Sequence, residues 1–241
     1  QCSDHIKKVS LELGGNAPFI VFDDADVDAA VDGAVQAKFR NAGQTCVSAN
    51  RLYVQSAVHE EFVDKFVERV IRLSVGDGFN PGVAIGPLID KHAITKIEAH
   101  VEDAVAKGGA IRCGGQRIGT AGTFFQPTVL TGISSNMKVA QEETFGPLAP
   151  IIRFDDADQV VRAANDTIYG LAAYFYASNL QRVWRVAEAL EYGMVGINTG
   201  LISTEIAPFG GIKQSGLGRE GSKYGLEDYT ELKYMCLGGI E

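Results

Sequence analysis

Cysteine is scarce in this sequence. The four present, Cys2, Cys46, Cys113 and Cys236, lie far apart, with no CxxC pair and no histidine at ligand spacing. That pattern excludes a disulfide framework and an ordinary zinc site, and it suits a reducing compartment, the cytoplasm or the mitochondrial matrix. Positive charge is in deficit as well: 22 Lys and Arg stand against 30 Asp and Glu, for a net charge of -8. Without a basic stripe the chain has nothing to attract nucleic acid or anionic lipid. No apolar run reaches the roughly 20 residues that a membrane-spanning helix requires. The signatures GxxxxGK[ST], GxSxG and HExxH are also missing, which removes the best-known phosphate loops, serine elbows and zinc-protease helices. A soluble protein acting on small molecules is what remains.

What is present is ordinary globular material: 241 residues, 46% hydrophobic and 22% charged, enough for one or two domains with a sizeable core. The opening "QCSDHIKKVSLELGG" carries no initiator methionine, targeting pattern or domain start, so we expect a chain entered midway. The triplet Asn165-Asp166-Thr167 falls at a predicted helix end and reads as a chance match to a glycosylation site.

Short β-branched or aromatic runs alternate with helical periodicity. "PFIVF" precedes a helix face made by Val27, Ala30, Val31, Ala34, Val35 and Phe39, with Asp24 and Asp26 as cap oxygens and Gly43 at the exit. "RLYVQ" precedes faces at Phe62, Val63, Phe66, Val67, Val70 and Ile71, then at Ile89, Ala93, Ile97, Val101, Ala104 and Val105. "PIIRF", "LAAYFYA" and "MVGIN" continue the series around helices carrying Val160, Val161 and Ala164, then Leu180, Val183, Trp184, Ala187 and Leu190. Recurrent strand-helix units predict an α/β fold with a mostly parallel sheet, whose ligands bind beyond the carboxyl ends of the strands. "GLGREG" at 216–221 matches GxGxxG by letter, but no strand precedes it and no acidic residue follows at the right distance, so a glycine-rich turn is the better reading. The last segment, "EDYTELKYMC", alternates with Thr230, Leu232, Tyr234 and Cys236 on one face, which predicts a strand seeking a partner in another subunit.

Cys46 stands out within "KFRNAGQTCVSAN" because its neighbours Gly43, Gln44 and Thr45 form a polar loop rather than a core, with Arg40 close by. A polar loop near a cation favours the thiolate and hence nucleophilic chemistry, although a lone cysteine taken by itself is better read as a structural or incidental thiol. Glu12 in "LELGGN" lies between two leucines beside a glycine pair, where a carboxylate is either a tuned general base or a solvated strand-end residue. A thiol nucleophile with a separate carboxylate base suits two-step covalent chemistry on a carbonyl. Taken alone, Arg40 reads as a helix-end cation, Glu143 as half of a solvated acidic pair, Phe145 as a core aromatic and Ser203 as a loop serine.

In order along the chain, "LELGGN", "FRNAGQTC", "EETFGP" and "PFGGIKQSGLGRE" together resemble the carboxyl half of an aldehyde dehydrogenase. "KFRNAGQTC", "NTGLIS" and "GREGSKYGLEDYTELKY" resemble the succinate-semialdehyde branch of that family most. The resemblance implies that Cys46 is the nucleophile and that Glu12 activates the hydrolytic water. It implies that Glu143 and Phe145 hold the nicotinamide end of NAD or NADP, and that Arg40 and Ser203 bind a carboxylate on the aldehyde substrate. It further implies the end of a cofactor domain at 1–13, a catalytic α/β domain at 14–213, a return segment at 214–226 and an oligomerisation strand at 227–241, serving a homodimer or homotetramer. The family's amino-terminal half, with the main dinucleotide fold, an oxyanion amide and a further substrate arginine, is absent from these residues. Where some relatives carry a second cysteine two places after the nucleophile, this chain has Ser48, which excludes a local disulfide switch. Other implied possibilities are a dehydrogenase of another aldehyde, such as glutarate semialdehyde, and a catalytically silent assembly module.

Overall fold

The computed structural model describes residues 2–239. Strand β1 (Leu11–Glu12) leads to β2 (Ala17–Val21), helix α1 (Val27–Phe39) and β3 (Ala49–Gln55). Helices α2 (His59–Val70) and α3 (Lys91–Ala106) precede β4 (Ala110–Cys113), β5 (Thr128–Thr131), the short α4 (Lys138–Gln141) and β6 (Leu148–Phe154). Then come α5 (Ala157–Asn165), β7 (Tyr169–Gly170), β8 (Ala172–Tyr176), α6 (Leu180–Ala189), β9 (Met194–Ile197), β10 (Ile212–Lys213) and β11 (Gly216–Leu217).

Seven strands form one sheet in the order β4-β5-β6-β3-β2-β8-β9, parallel throughout except for the antiparallel β4–β5 pair at one edge. Each predicted strand-helix unit is therefore present as an α/β layer structure. β2 is buried along its whole length, as a central parallel strand covered on both faces must be. Phe19 and Val21 point into a core with α1, α2 and α3, which includes Phe39, Phe62, Phe66 and Ile97. Ile20 and Phe22 point the other way, toward Phe154, Val160, Phe175 and Val186 under α5 and α6. Phe62 and Phe66 are fully buried and stack at 5.4 Å between ring centroids, and each such side chain contributes roughly 1.5–3 kcal/mol by leaving water.

Asp26 caps α1, its Oδ1 accepting from Ala29 N–H at 3.0 Å. Asp24, expected to share that role, instead accepts from the backbone N–H groups of Ser178 and Asn179. Gly33 interrupts the α1 face because a Cβ there would meet the Tyr176 hydroxyl at 1.8 Å. Asn165 ends α5 with its amide donating to Ala189 and accepting from Glu191 N–H. The GLGREG stretch is a turn, with β11 pairing antiparallel to β1 and positive φ at Gly218 and Gly221.

Within the single chain the terminal segment pairs with no strand among the described residues: after a 3-10 turn at Tyr224–Tyr229, residues 230–239 form no regular structure, and Leu232 and Tyr234 are exposed. Alternating side chains make a strand only when an edge is available to pair with its backbone, and the edge expected for this segment belongs to another subunit. One expectation needs correction: the carboxyl-end rule fails for most of the candidate site. Cys46 precedes β3, Glu12 and the glycine pair precede β2, and Glu143 precedes β6, so these residues gather at the amino ends of parallel strands, and only Ser203 follows a strand, β9.

Candidate active site

Cys46 is presented by a backbone that the sequence pattern did not foretell. Immediately after α1, Asn41, Ala42 and Gly43 all adopt left-handed conformations, with φ of 53°, 57° and 71°. For a non-glycine residue this costs roughly 1–2 kcal/mol, and such strain persists only where the surroundings over-determine it. They do so here. Gln44 N–H donates to Asn41 O, Asn41 Nδ2 donates to Gln44 O, and Gln44 Oε1 accepts from Ile89 N–H at 2.9 Å. Beyond the cysteine, the buried Tyr174 hydroxyl donates to Val47 O at 2.8 Å, and Ser48 Oγ donates to Lys38 O at 3.2 Å.

Gly14 and Gly15 run between this loop and the loop that carries Glu143. A Cβ on Gly15 would sit 2.3 Å from Cys46 O, and one on Gly14 would sit 2.7 Å from Glu143 Oε2. The backbone at Cys46 cannot move aside, so Gly15 must lack a Cβ, whereas a Cβ at Gly14 would displace the Glu143 carboxylate. Gly15 N–H donates to Glu143 Oε1 at 2.9 Å, whereas Glu143 Oε2 has no donor among the described residues. Burial pushes the Glu143 carboxyl up, opposed by that bond and by Lys96 and Lys38.

Glu12 lies near enough for its charge to act on Cys46. Burial raises the Glu12 pKa, the charge of Glu220 adds to the rise and Arg219 opposes it; its Oε2 is buried without a hydrogen-bond partner among the described residues. A carboxylate with raised proton affinity and one free oxygen is chemically suited to take a proton from water. The thiol corrects the sequence reading. Burial, then the charge of Glu12, pushes the Cys46 pKa up, against the thiolate expected beside a cation.

The remaining predicted residues are placed less tightly. Phe145 lies in the Glu143 loop at φ 54°, its ring partly exposed. Arg40 ends α1 and is exposed, with no ion pair among the described residues, so no acidic partner supports the surface-cation reading. Ser203, also exposed, lies in the loop after β9, and no hydrogen bond joins it to Arg40. The structure thus brings Cys46, Glu12, Glu143 and Phe145 together through shared backbone, and it leaves Arg40 and Ser203 as exposed groups outside that cluster.

Sequence reasoning missed several side chains. Lys38 is 1% exposed, its ammonium has no hydrogen-bond partner among the described residues, and burial pushes its pKa down to about 7 against the pull of Glu143. Asn16, Asn50 and His100 form a buried polar cage beneath the Glu143 loop. Arg51, 2% exposed, donates only to backbone carbonyls of Asn16, Ala163 and Ala164 and to the hydroxyls of Tyr53 and Tyr192, a structural clamp with no free donor for a ligand. Lys38 was the detectable one, a lysine on the side of α1 that its apolar neighbours mark as buried.

A model of the aldehyde dehydrogenase family matches residues 1–235. The chain belongs to the aldehyde dehydrogenase family. Among curated aldehyde dehydrogenases, the succinate-semialdehyde dehydrogenase [NADP(+)] of Escherichia coli K12 is 65% identical over 238 residues, covering 99% of this chain and 49% of the relative. The glutarate-semialdehyde dehydrogenase of Pseudomonas aeruginosa is 63% identical over 240 residues, covering 100% of this chain and 50% of the relative. The crystal structure of succinate-semialdehyde dehydrogenase from Burkholderia pseudomallei superposes with a TM-score of 0.96 at 60% identity, covering 98% of this chain and 49% of that one. This aldehyde dehydrogenase chain therefore spans about half the length of the curated relatives it matches.

Proposed function

We propose that this chain is the catalytic, carboxyl-terminal portion of an aldehyde dehydrogenase that oxidises succinate semialdehyde to succinate. The observation that carries the reading is the convergence on Gly14–Gly15, where one glycine pair packs against Cys46 on one side and Glu143 on the other, with Glu12 acting on the same thiol. In the reaction, Cys46 Sγ bonds to the aldehyde carbon while its proton passes to the carbonyl oxygen, giving a thiohemiacetal. When bound, NADP or NAD would supply the acceptor for the hydride whose loss, with that of the hydroxyl proton, leaves a thioester. Glu12 then takes a proton from water, whose oxygen attacks the thioester carbon; the C–S bond breaks, releasing the carboxylate and restoring Cys46. Glu143 fits the cofactor by its unoccupied Oε2 acceptor, which suits ribose hydroxyls, while the partly exposed Phe145 ring offers an apolar face to a nicotinamide. NADP is favoured over NAD by the similarity to the NADP(+)-dependent E. coli relative.

In this reading residues 14–213 are the catalytic domain, 1–13 and 214–226 belong with the cofactor region, and 227–241 pair with another copy in a dimer or tetramer. The antiparallel joining of β1 to β11 supports grouping the two flanking pieces. A reducing compartment, cytoplasm or matrix, suits four free cysteines.

Glutarate semialdehyde is the second reading, favoured by the P. aeruginosa relative; both substrates present a carboxylate. A charge-assisted hydrogen bond contributes about 1.5–3 kcal/mol, so in the full-length enzyme Arg40→Gln lowers kcat/KM for succinate semialdehyde roughly 10- to 100-fold, and for butanal much less. Ser203→Ala acts in the same direction more weakly. Equal losses for both substrates would show that Arg40 positions the Cys46 loop rather than reading the substrate. Comparing four- and five-carbon semialdehydes separates the two readings.

A further inference from the structure

The Glu142–Phe145 turn is held from below by one face of α3. Lys96 Nζ donates to Glu143 O, Ile97 fills the space that any side chain at Gly146 would need, and His100, one turn on, reaches both residues flanking Glu143. The His100 ring is 1% exposed. Its Nδ1 lies 3.2 Å from Thr144 Oγ1 and its Nε2 3.2 Å from Glu142 Oε2. A neutral imidazole satisfies both contacts at once, with Nε2–H donating to the carboxylate and Nδ1 accepting from the threonine hydroxyl. Asn50 completes the clamp, donating from Nδ2 to Glu142 O at 2.8 Å and accepting at Oδ1 from Thr144 N–H at 3.2 Å, while Asn16 braces Asn50 at 2.7 Å. The turn needs such restraint because Phe145 adopts φ 54°, a left-handed conformation that a bulky side chain disfavours.

We propose that His100 is a positioning residue for Glu143: by bridging Glu142 and Thr144 it holds the strained turn in the pose that presents the Glu143 carboxylate to the nicotinamide ribose. The inference rests on the cofactor role proposed for Glu143. His100 touches neither Cys46 nor Glu12 by any hydrogen bond among the described residues, so its removal should weaken cofactor binding and spare the chemistry on the thiol.

The test is made in the full-length enzyme with His100→Leu, His100→Gln, Thr144→Val and Glu143→Gln, each checked for folding by circular dichroism. NADPH affinity is measured by fluorescence titration, and amide hydrogen exchange of residues 142–146 is followed without cofactor. The expected result is at least a 10-fold rise in NADPH Kd for His100→Leu, faster exchange across the turn, and kcat at saturating NADP within twofold of wild type. Gln can donate to Glu142 and accept from Thr144, so His100→Gln should recover most of the affinity, and Thr144→Val, which removes one of the two bonds, should fall between. If His100→Leu does not fold, the last two variants carry the test, and wild-type affinity in Thr144→Val with no gain in exchange overturns the proposal. An unchanged Kd in His100→Leu beside a weakened Glu143→Gln overturns the role of His100 alone. An unchanged Kd in Glu143→Gln overturns the ribose assignment and this role with it.

Discussion

At the scale of single residues, the decisive feature is charge held out of water. Burial and the field of Glu12 both push the Cys46 pKa up. Iodoacetamide should therefore label the exposed Cys2 and Cys236 before Cys46 at neutral pH, the reverse of what the polar loop suggests from sequence. Glu12→Gln removes the negative charge, lowers the Cys46 pKa and speeds its alkylation at pH 7–8, as peptide mapping over time would reveal; an unchanged rate would separate the two groups. Lys38 makes a second case. Its native pKa of about 7 lies below the ordinary lysine value of 10.5, so between those values the unfolded chain binds more protons and stability rises with pH. Below pH 7 the full cost of burying the ammonium is present. Lys38→Met should consequently raise the melting temperature more at pH 6 than at pH 9, and an increment independent of pH would contradict a buried, charged Lys38.

At the scale of elements, two loops at the amino ends of β3 and β6 are locked face to face by glycine. Gly43 has φ 71°, and a Cβ there would stand 2.3 Å from Gly146 O. Gly43→Ala should cost about 1–3 kcal/mol from overpacking, on top of left-handed strain, and separate the Cys46 loop from the Glu143 loop. Urea denaturation gives the stability loss, and kcat/KM should fall with it; a variant of wild-type stability would mean that the two loops are not in contact. The helices and strands of this region were legible from sequence because their apolar spacing matches the layers they occupy. The loops were not, since three successive left-handed residues at 41–43 depend on contacts with Ile89 and Gly146, 45 or more positions away. Glu12, Cys46 and Glu143 were found through motifs, whereas Asn50 and His100 carry no local mark of their polar cage.

At the scale of the whole molecule, large apolar side chains face outward along both flanking pieces, including Ile6, Leu13, Leu226, Leu232, Tyr234 and Leu237. Patches of that kind mark surfaces that other protein covers, consistent with a chain half as long as its relatives. On the proposed reading the 241 residues alone hold only one end of the cofactor. A preparation shown by intact mass to contain just these residues should bind NADP weakly by calorimetry and give little aldehyde-dependent NADPH; turnover at the rate of the full-length enzyme would overturn the assignment of the remaining cofactor contacts to other residues.

The sequence by itself determined the alternation of strands and helices, most of the buried faces of α1, α2, α3 and α5, and the identity of the chemical groups in the motifs, because periodicity and residue type are local properties. It misplaced Ile71, Ile89, Val105, Leu180 and Trp184, which are exposed, and in α6 the buried residue is Val186. Tertiary structure alone decided that burial and Glu12 raise the Cys46 pKa, that the site collects at the amino ends of the strands, and that the terminal alternating segment finds no edge within its own described chain. Each of these depends on what surrounds a residue in space: the charges and burial that set a proton affinity, the packing that tolerates a left-handed turn, and the presence or absence of an edge to receive a strand.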